Sequence, residues 1–225
     1  MIQVIPAFAA PLVSAQMPNC EALNQELREL FIARAEEGDK YRNKTPFVTR
    51  NDALYESNFR LFDWPHDCVR KLRDFCWAAL YRTIGELNGY DQAFLARLQV
   101  AHEAWFHLTR RGGFFAAHNH PLHSWSGVYC VCHHGDDPET DSGRLTFLNP
   151  FATNTMYIDM ASAQMKAPFG GGHRKIRLQP GQLIMFPSWM LHEVYPYDGD
   201  DVRITVAFNA RFRLEGAERP DEPLG

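Results

Sequence analysis

The sequence predicts a mostly-β protein, a sandwich or barrel with a jelly roll as the favoured form, braced by an N-terminal helical layer. Three observations predict it. Short strand-like runs separated by Gly, Pro and Asp turns fill residues 99–214. Apolar residues at helical three- and four-residue steps are confined to the chain before Gly89. There is no internal repeat and no low-complexity tract to suggest a solenoid or a linker. The expected division is residues 1–98 as a strand and helices packed on the core, 99–214 as the β core and 215–225 as a polar tail, all one structural domain.

The opening stretch to Val13 is apolar, lacks a basic leader and is broken by Pro6 and Pro11, which favours a first strand over a signal peptide. A helix is expected over 21–34, started by Asn19 or Cys20, because Leu23, Leu27, Leu30 and Phe31 share one face. Residues 37–58 are polar and irregular and read as a long loop. A second helix is expected over 67–87, with Pro65 near its start, Asn88-Gly89 at its end and Val69, Leu72, Cys76, Leu80 and Ile84 as its apolar stripe.

After Gly89 the period changes. Segments 105–109 and 114–118 flank Arg110-Arg111-Gly112-Gly113, a hairpin signal. Residues 126–132, 144–148, 174–178, 182–186, 191–195 and 203–211 read as further strands. Turn signals at Gly135-Asp136-Asp137-Pro138, Gln179-Pro180-Gly181 and Asp198-Gly199-Asp200 separate them, and the tail from Glu215 should fray.

Composition excludes some roles. A net charge of −4 with no Lys/Arg block gives no electrostatic footprint for nucleic acid. No apolar run approaches the ~20 residues of a membrane span. The cysteines (Cys20, Cys68, Cys76, Cys130, Cys132) are odd in number and have no framework spacing, which suits reduced thiols in a cytoplasm.

The chemistry concentrates in His118-Asn119-His120-Pro121, His192 and Arg203. Two histidines two residues apart on a strand leave the same face. Three neutral imidazoles converging on one point suit a divalent transition metal, and a permanently charged arginine beside them suits a carboxylate co-substrate. If Asp198-Gly199 forms a two-residue turn, His192 faces Thr205, Val194 faces Arg203, and all four side chains share one sheet face.

The segments His118-Asn119-His120-Pro121, Ser126-Gly127-Val128-Tyr129, Gly143 to Pro150, Phe186 to His192 and Arg203 to Asn209 resemble those of the iron(II)/2-oxoglutarate-dependent oxygenases, most closely a bacterial subgroup. The resemblance covers about residues 100–212. It implies a double-stranded β-helix, cupin-like in form, that holds Fe(II) through His118, His120 and His192. It further implies 2-oxoglutarate anchored by Arg203 and the Thr205 hydroxyl, with Tyr129 as a second donor. Molecular oxygen is then consumed, and a small-molecule or peptide substrate is hydroxylated or oxidatively demethylated.

One departure stands out. The family's usual ligand set is His-x-Asp/Glu…His, and this chain has His120 where the carboxylate stands; Glu193, beside His192, would point to the opposite face. The reading takes His120 as the third ligand. Two alternatives stay open: a three-histidine dioxygenase that does not use 2-oxoglutarate, and a non-catalytic ligand-binding β-barrel. An exposed edge strand would suit a homodimer.

Other motifs carry less. Cys130-Val131-Cys132-His133-His134 is too tightly spaced for zinc and reads as core. Gly170-Gly171-Gly172-His173 lacks the Lys-Ser/Thr of a phosphate loop and reads as a mobile loop, with a lid over the pocket as the alternative role, while substrate specificity is expected in the loop 151–172. His123 reads as a loop or substrate contact, Trp125 and Trp189 as core aromatics, and Ser126 and Asn209 are undecided between packing and function.

Overall fold

A computed structural model of the chain describes residues 2–6, 8–134, 137–151 and 157–216. Part of the turn expected at 135–138, part of the loop 151–172 and all but the start of the tail lie outside the described residues.

Both expected helices form. α1 (Glu21–Glu36) buries Leu27 and Phe31, and α2 (Asp67–Asn88) buries Val69, Leu72, Cys76, Leu80 and Ile84, which is the stripe expected from the sequence. α2 stops at Gly89, which adopts φ +69°, the left-handed conformation that costs glycine least; its N–H donates to Gly85 O. A four-residue helix, α3 (Gln92–Leu95), follows, capped by Asp91, whose side chain accepts from Phe94 N at 2.7 Å.

The strands form two antiparallel sheets. The larger joins β1 (Val13–Gln16), β8 (Gln182–Pro187), β5 (Trp125–Cys132), β10 (Arg203–Leu214), β3 (Leu98–Thr109) and β2 (Leu54–Glu56) in that order. The smaller joins β4 (Phe115–His118), β9 (His192–Val194), β6 (Leu145–Phe147) and β7 (Arg174–Ile176). This is a jelly-roll core, with β1 and β2 as the two edges of the larger sheet.

Period-two alternation along β10 explains how the layers cohere. Ile204, Val206, Phe208 and Ala210 join one apolar cluster with Leu27, Phe31, Leu72 and Leu80 of the helices. Arg203, Thr205 and Ala207 turn the other way and line the space between the sheets. There a second cluster (Leu145, Phe147, Ile184, Phe186, Met190) closes the interior. Burying a side chain such as Phe31 or Leu72 contributes about 1.5–3 kcal/mol. At Gly127 on β5 an added Cβ would stand 2.4 Å from the Phe208 ring, so only glycine lets that ring close the sheet–helix interface.

Several pairings differ from expectation. β3 and β4 are not a hairpin: β3 pairs with β10 and β2, while β4 crosses into the smaller sheet and pairs with β9. β9 and β10 are not neighbours either, so His192 does not face Thr205 within one sheet. The connections change sheet instead of folding straight back. β3 starts at Leu98, because twelve consecutive pairings with β10 hold residues that are weak strand formers alone. The loop expected over 37–58 contains β2. Among the described residues no helix is long and apolar enough to cross a membrane, and all five cysteines are free and buried.

Candidate metal centre

His118 ends β4 and His192 opens β9, and the two are direct register partners. His120 lies just past β4, where its backbone N–H donates to Ser188 O at 2.9 Å. The ring centroids are 4.3 Å apart for His118–His192, 5.0 Å for His118–His120 and 5.1 Å for His120–His192. One ring nitrogen from each lies within 4.8 Å of those of the other two.

Two of the rings are oriented through their far nitrogens. Nδ1 of His118 is 2.7 Å from Ala116 O, and Nδ1 of His192 is 3.0 Å from Met190 O. Donation to a carbonyl fixes the proton on Nδ1 and leaves Nε2 as a lone-pair donor, the usual way a protein presents a ligating histidine. Burial pushes all three imidazoles down, to about 4 for His118, about 2 for His120 and about 3 for His192, each reinforced by neighbouring histidine rings. The three are therefore neutral near pH 7, as metal ligation requires. A set of three neutral nitrogen donors fits a divalent transition ion. Among the described residues no Asp or Glu joins the group. Glu193 sits on β9 opposite Thr146, on the strand face away from His192.

The three histidines, Arg203 and Thr205 line one enclosed cavity between the sheets, with room for about 30 Å³. Arg203 is 2% exposed and Thr205 1%. The cavity floor includes Ser126, whose hydroxyl lies 2.7 Å from Asn209 Oδ1 and 2.8 Å from Ser188 Oγ. This buried chain ties β5, β10 and the approach to β9 together, giving Ser126 and Asn209 a positional role.

Tyr129 must be corrected. On β5 the residues Gly127, Tyr129 and Val131 turn toward the helices, so Tyr129 packs against Phe75 and donates its hydroxyl to Asn24 Oδ1 at 2.7 Å. It is not among the residues that line the cavity with Arg203. Trp189 is also corrected: it is 52% exposed, not core. Cys130 and Cys132 fall into different apolar clusters, which separates the thiols that a zinc site would need together.

Sequence reasoning missed a polar cluster beside the histidines. Glu56 on β2 is 3% exposed and accepts from Asn43 Nδ2 at 2.6 Å and Arg50 Nη1 at 2.7 Å, with His107 Nε2 3.0 Å from its other oxygen. Burial alone would raise its carboxyl, but hydrogen bonds from His107 and Asn43 and the Arg50 charge hold it at about 2. The one signal was an acidic residue in the apolar run Leu54-Tyr55-Glu56. A second, more open cleft of about 310 Å³ adjoins this cluster and shares His118 and His120 with the inner cavity. A larger groove of about 800 Å³, between α2 and α3, contains none of the three histidines.

Comparison with known proteins agrees with this architecture. Residues 103–209 match a family described as "Putative 2OG-Fe(II) oxygenase". Among curated proteins there is no sequence match. The fold is similar to a prolyl-4-hydroxylase from Pseudomonas putida (TM-score 0.57, 17% identity, 91% of this chain and 93% of that one). It is also similar to a prolyl hydroxylase from Trichoplax adhaerens in complex with a hypoxia inducible factor peptide fragment (0.60, 13%, 88% and 82%). A third is HygX from Streptomyces hygroscopicus with nickel, 2-oxoglutarate and hygromycin B bound (0.51, 9%, 89% and 82%).

Proposed function

We propose that the chain is an Fe(II)- and 2-oxoglutarate-dependent oxygenase, a reading supported by the match of residues 103–209 to the family described as "Putative 2OG-Fe(II) oxygenase", and we assign its buried polar residues specific roles. His118, His120 and His192 hold Fe(II). Arg203, supported by Thr205, receives the distal carboxylate of 2-oxoglutarate. The reaction is hydroxylation or oxidative demethylation of an organic substrate.

The observation that carries this is the convergence of three neutral imidazoles on one point, within 4.8 Å of one another, in the cavity that also contains Arg203. Fe(II) with 2-oxoglutarate and molecular oxygen supplies the oxidation of a C–H bond. The chain's own residues bind, orient and exclude water. Ala116 and Met190 carbonyls aim two of the ligands. The guanidinium of Arg203 presents a planar fork that a carboxylate can meet with two hydrogen bonds, worth more than a point charge there. Phe147 and Phe186 pack within 5.9 and 4.8 Å of the His192 ring and keep its surroundings dry.

A second reading, a three-histidine dioxygenase without 2-oxoglutarate, is favoured by one observation. The inner cavity of about 30 Å³ holds about two waters. A space that small leaves little room for a five-carbon diacid beside Arg203.

The test is an anaerobic Fe(II) titration with and without 2-oxoglutarate, following the visible charge-transfer band of an iron–2-oxo-acid chelate. The band is expected in wild type and absent in His118→Ala and Arg203→Ala. Iron bound without the band would promote the second reading, and no iron bound would leave only the fold.

A further inference from the structure

The open cleft of about 310 Å³ lies between the segment around Phe47–Arg50, the face of β3 carrying Glu103 and Trp105, and the turn after β4. We propose that this cleft seats the substrate and selects an ammonium group on an apolar stem, with Glu103 as the counter-charge. The inference rests on the oxygenase reading above and adds the substrate class.

The cleft's apolar wall is aromatic. Phe59 and Trp105 pack with ring centroids 4.9 Å apart, and Trp105 also lies 5.9 Å from the His120 ring. Phe47 and Leu122 line the same cleft yet are 86% and 83% exposed. Leu122 holds φ +69°, a conformation that a leucine adopts only at a cost of about 1–2 kcal/mol. Two large apolar side chains held in water beside a ligand-sized cleft are what an apolar ligand stem would cover.

The charge points to the head group. Among the described residues, the Asp, Glu, Lys and Arg side chains that line the cleft are Arg50, Glu56 and Glu103. Arg50 and Glu56 neutralise each other at 2.7 Å, and Glu56 is further used by Asn43 and His107. Nε2 of His123 lies 4.0 Å from the Glu103 carboxylate, beyond hydrogen-bond reach, and the Glu103 side chain is 46% exposed. The cleft therefore presents one carboxylate with its oxygens open to a donor, beside rings that favour a cation over their faces. Glu103 precedes Trp105 by two residues on the same strand face, about 7 Å along β3. A stem lying along Trp105 would place its nitrogen at Glu103 and a carbon several bonds away beside His120.

The experiment compares isosteric probes by calorimetric titration of the full chain: 4-phenylbutylamine, 4-phenylbutan-1-ol and 4-phenylbutyrate. Wild type should bind the amine about tenfold more tightly than the alcohol, and the carboxylate most weakly. In Glu103→Gln that preference should collapse while the iron–2-oxoglutarate charge-transfer band is retained. Equal binding of amine and alcohol, no amine binding, or a preference that survives in Glu103→Gln overturns the proposal. A Glu103-dependent amine preference without any charge-transfer band upholds the cleft assignment and sinks the cofactor reading alone. A lysine-containing peptide bound more tightly than the free amine upholds it with a protein side chain as the source, and the reverse order upholds it with a small metabolite.

Discussion

His118 and His192 are paired residues of adjacent antiparallel strands, with their rings 4.3 Å apart. A register pair on one sheet face is held by the ladder itself, so the distance between these two imidazoles is set by backbone hydrogen bonds and not by loop conformation. Each ring is then aimed by a carbonyl two residues earlier in its own chain, Ala116 for one and Met190 for the other. His120, by contrast, sits past the end of β4 and is placed by its backbone bond to Ser188. Two of the three imidazoles are thus positioned by the strand pairing and the third by a single backbone hydrogen bond.

That difference makes His120 the position at which to test the ligand set. His120→Ala should weaken Fe(II) binding by about 100-fold or more, because two donors remain. His120→Asp supplies the carboxylate usual in the family and should recover much of the loss, with a displaced charge-transfer band. Equilibrium metal titration of both variants checks this, and unchanged affinity in His120→Ala would remove it from the ligand set.

Gly143 should control Arg203. It adopts φ +58°, and an added Cβ would stand 3.0 Å from Arg203 Cδ, 3.1 Å from His133 Nε2 and 3.2 Å from Tyr197 Cδ2. Gly143→Ala would cost about 1 kcal/mol or more in backbone strain and push the arginine stem aside. The expected result is a 2-oxoglutarate dissociation constant raised about tenfold, with Fe(II) affinity unchanged, since none of His118, His120 and His192 is among the atoms that a Cβ at Gly143 would meet. Calorimetry of each ligand separately reads the two effects.

How much of this was legible in the sequence follows from what each feature depends on. The helices were, because Leu27, Phe31, Val69 and Leu72 carry their own period. The histidine group was, because two of its members are two residues apart and the third lies in a compact apolar run. The sheet pairing was not. His192 and Arg203 point inward whether their strands are neighbours or face each other across the sandwich, so side-chain parity alone cannot tell the two apart. Glu56 escaped for another reason: its partner His107 is 51 residues away, and its one local mark, the two apolar residues Leu54-Tyr55 before it, is short and lies in an otherwise polar stretch.

Tyr129 illustrates the limit of matching motifs without knowing the face. Its hydroxyl serves Asn24 under α1, so Tyr129→Phe should leave 2-oxoglutarate affinity unchanged within about twofold and cost about 1 kcal/mol of stability through the lost hydrogen bond. Denaturant melts alongside a co-substrate titration check both. A large loss of 2-oxoglutarate binding with intact stability would restore the tyrosine to the cavity.

Glu56 gives the pH prediction. Its carboxyl is held at about 2 in the folded protein, against an ordinary value near 4.5, by His107, Asn43 and Arg50. The folded pKa is depressed, so the unfolded chain binds the proton first as pH falls. The stabilisation from this group is therefore complete above about pH 4.5 and lost progressively toward pH 2. A shift of that size corresponds to about 3 kcal/mol. Glu56→Gln should remove this stabilisation at neutral pH and leave Arg50, whose side chain is 11% exposed, without its counter-charge. The wild-type minus variant difference in unfolding free energy should be about 3 kcal/mol at pH 7 and shrink between pH 4.5 and 2, as read from denaturant titrations across that range. A difference that stays constant with pH would mean that the cluster's contribution is packing and hydrogen bonding, not charge. Because Arg50 also makes a β-bridge to Phe115, whose ring lies 4.7 Å from that of His118, the same substitution should loosen the cleft wall. The neutral-pH variant should therefore show weaker binding of cleft ligands even where its metal affinity is intact.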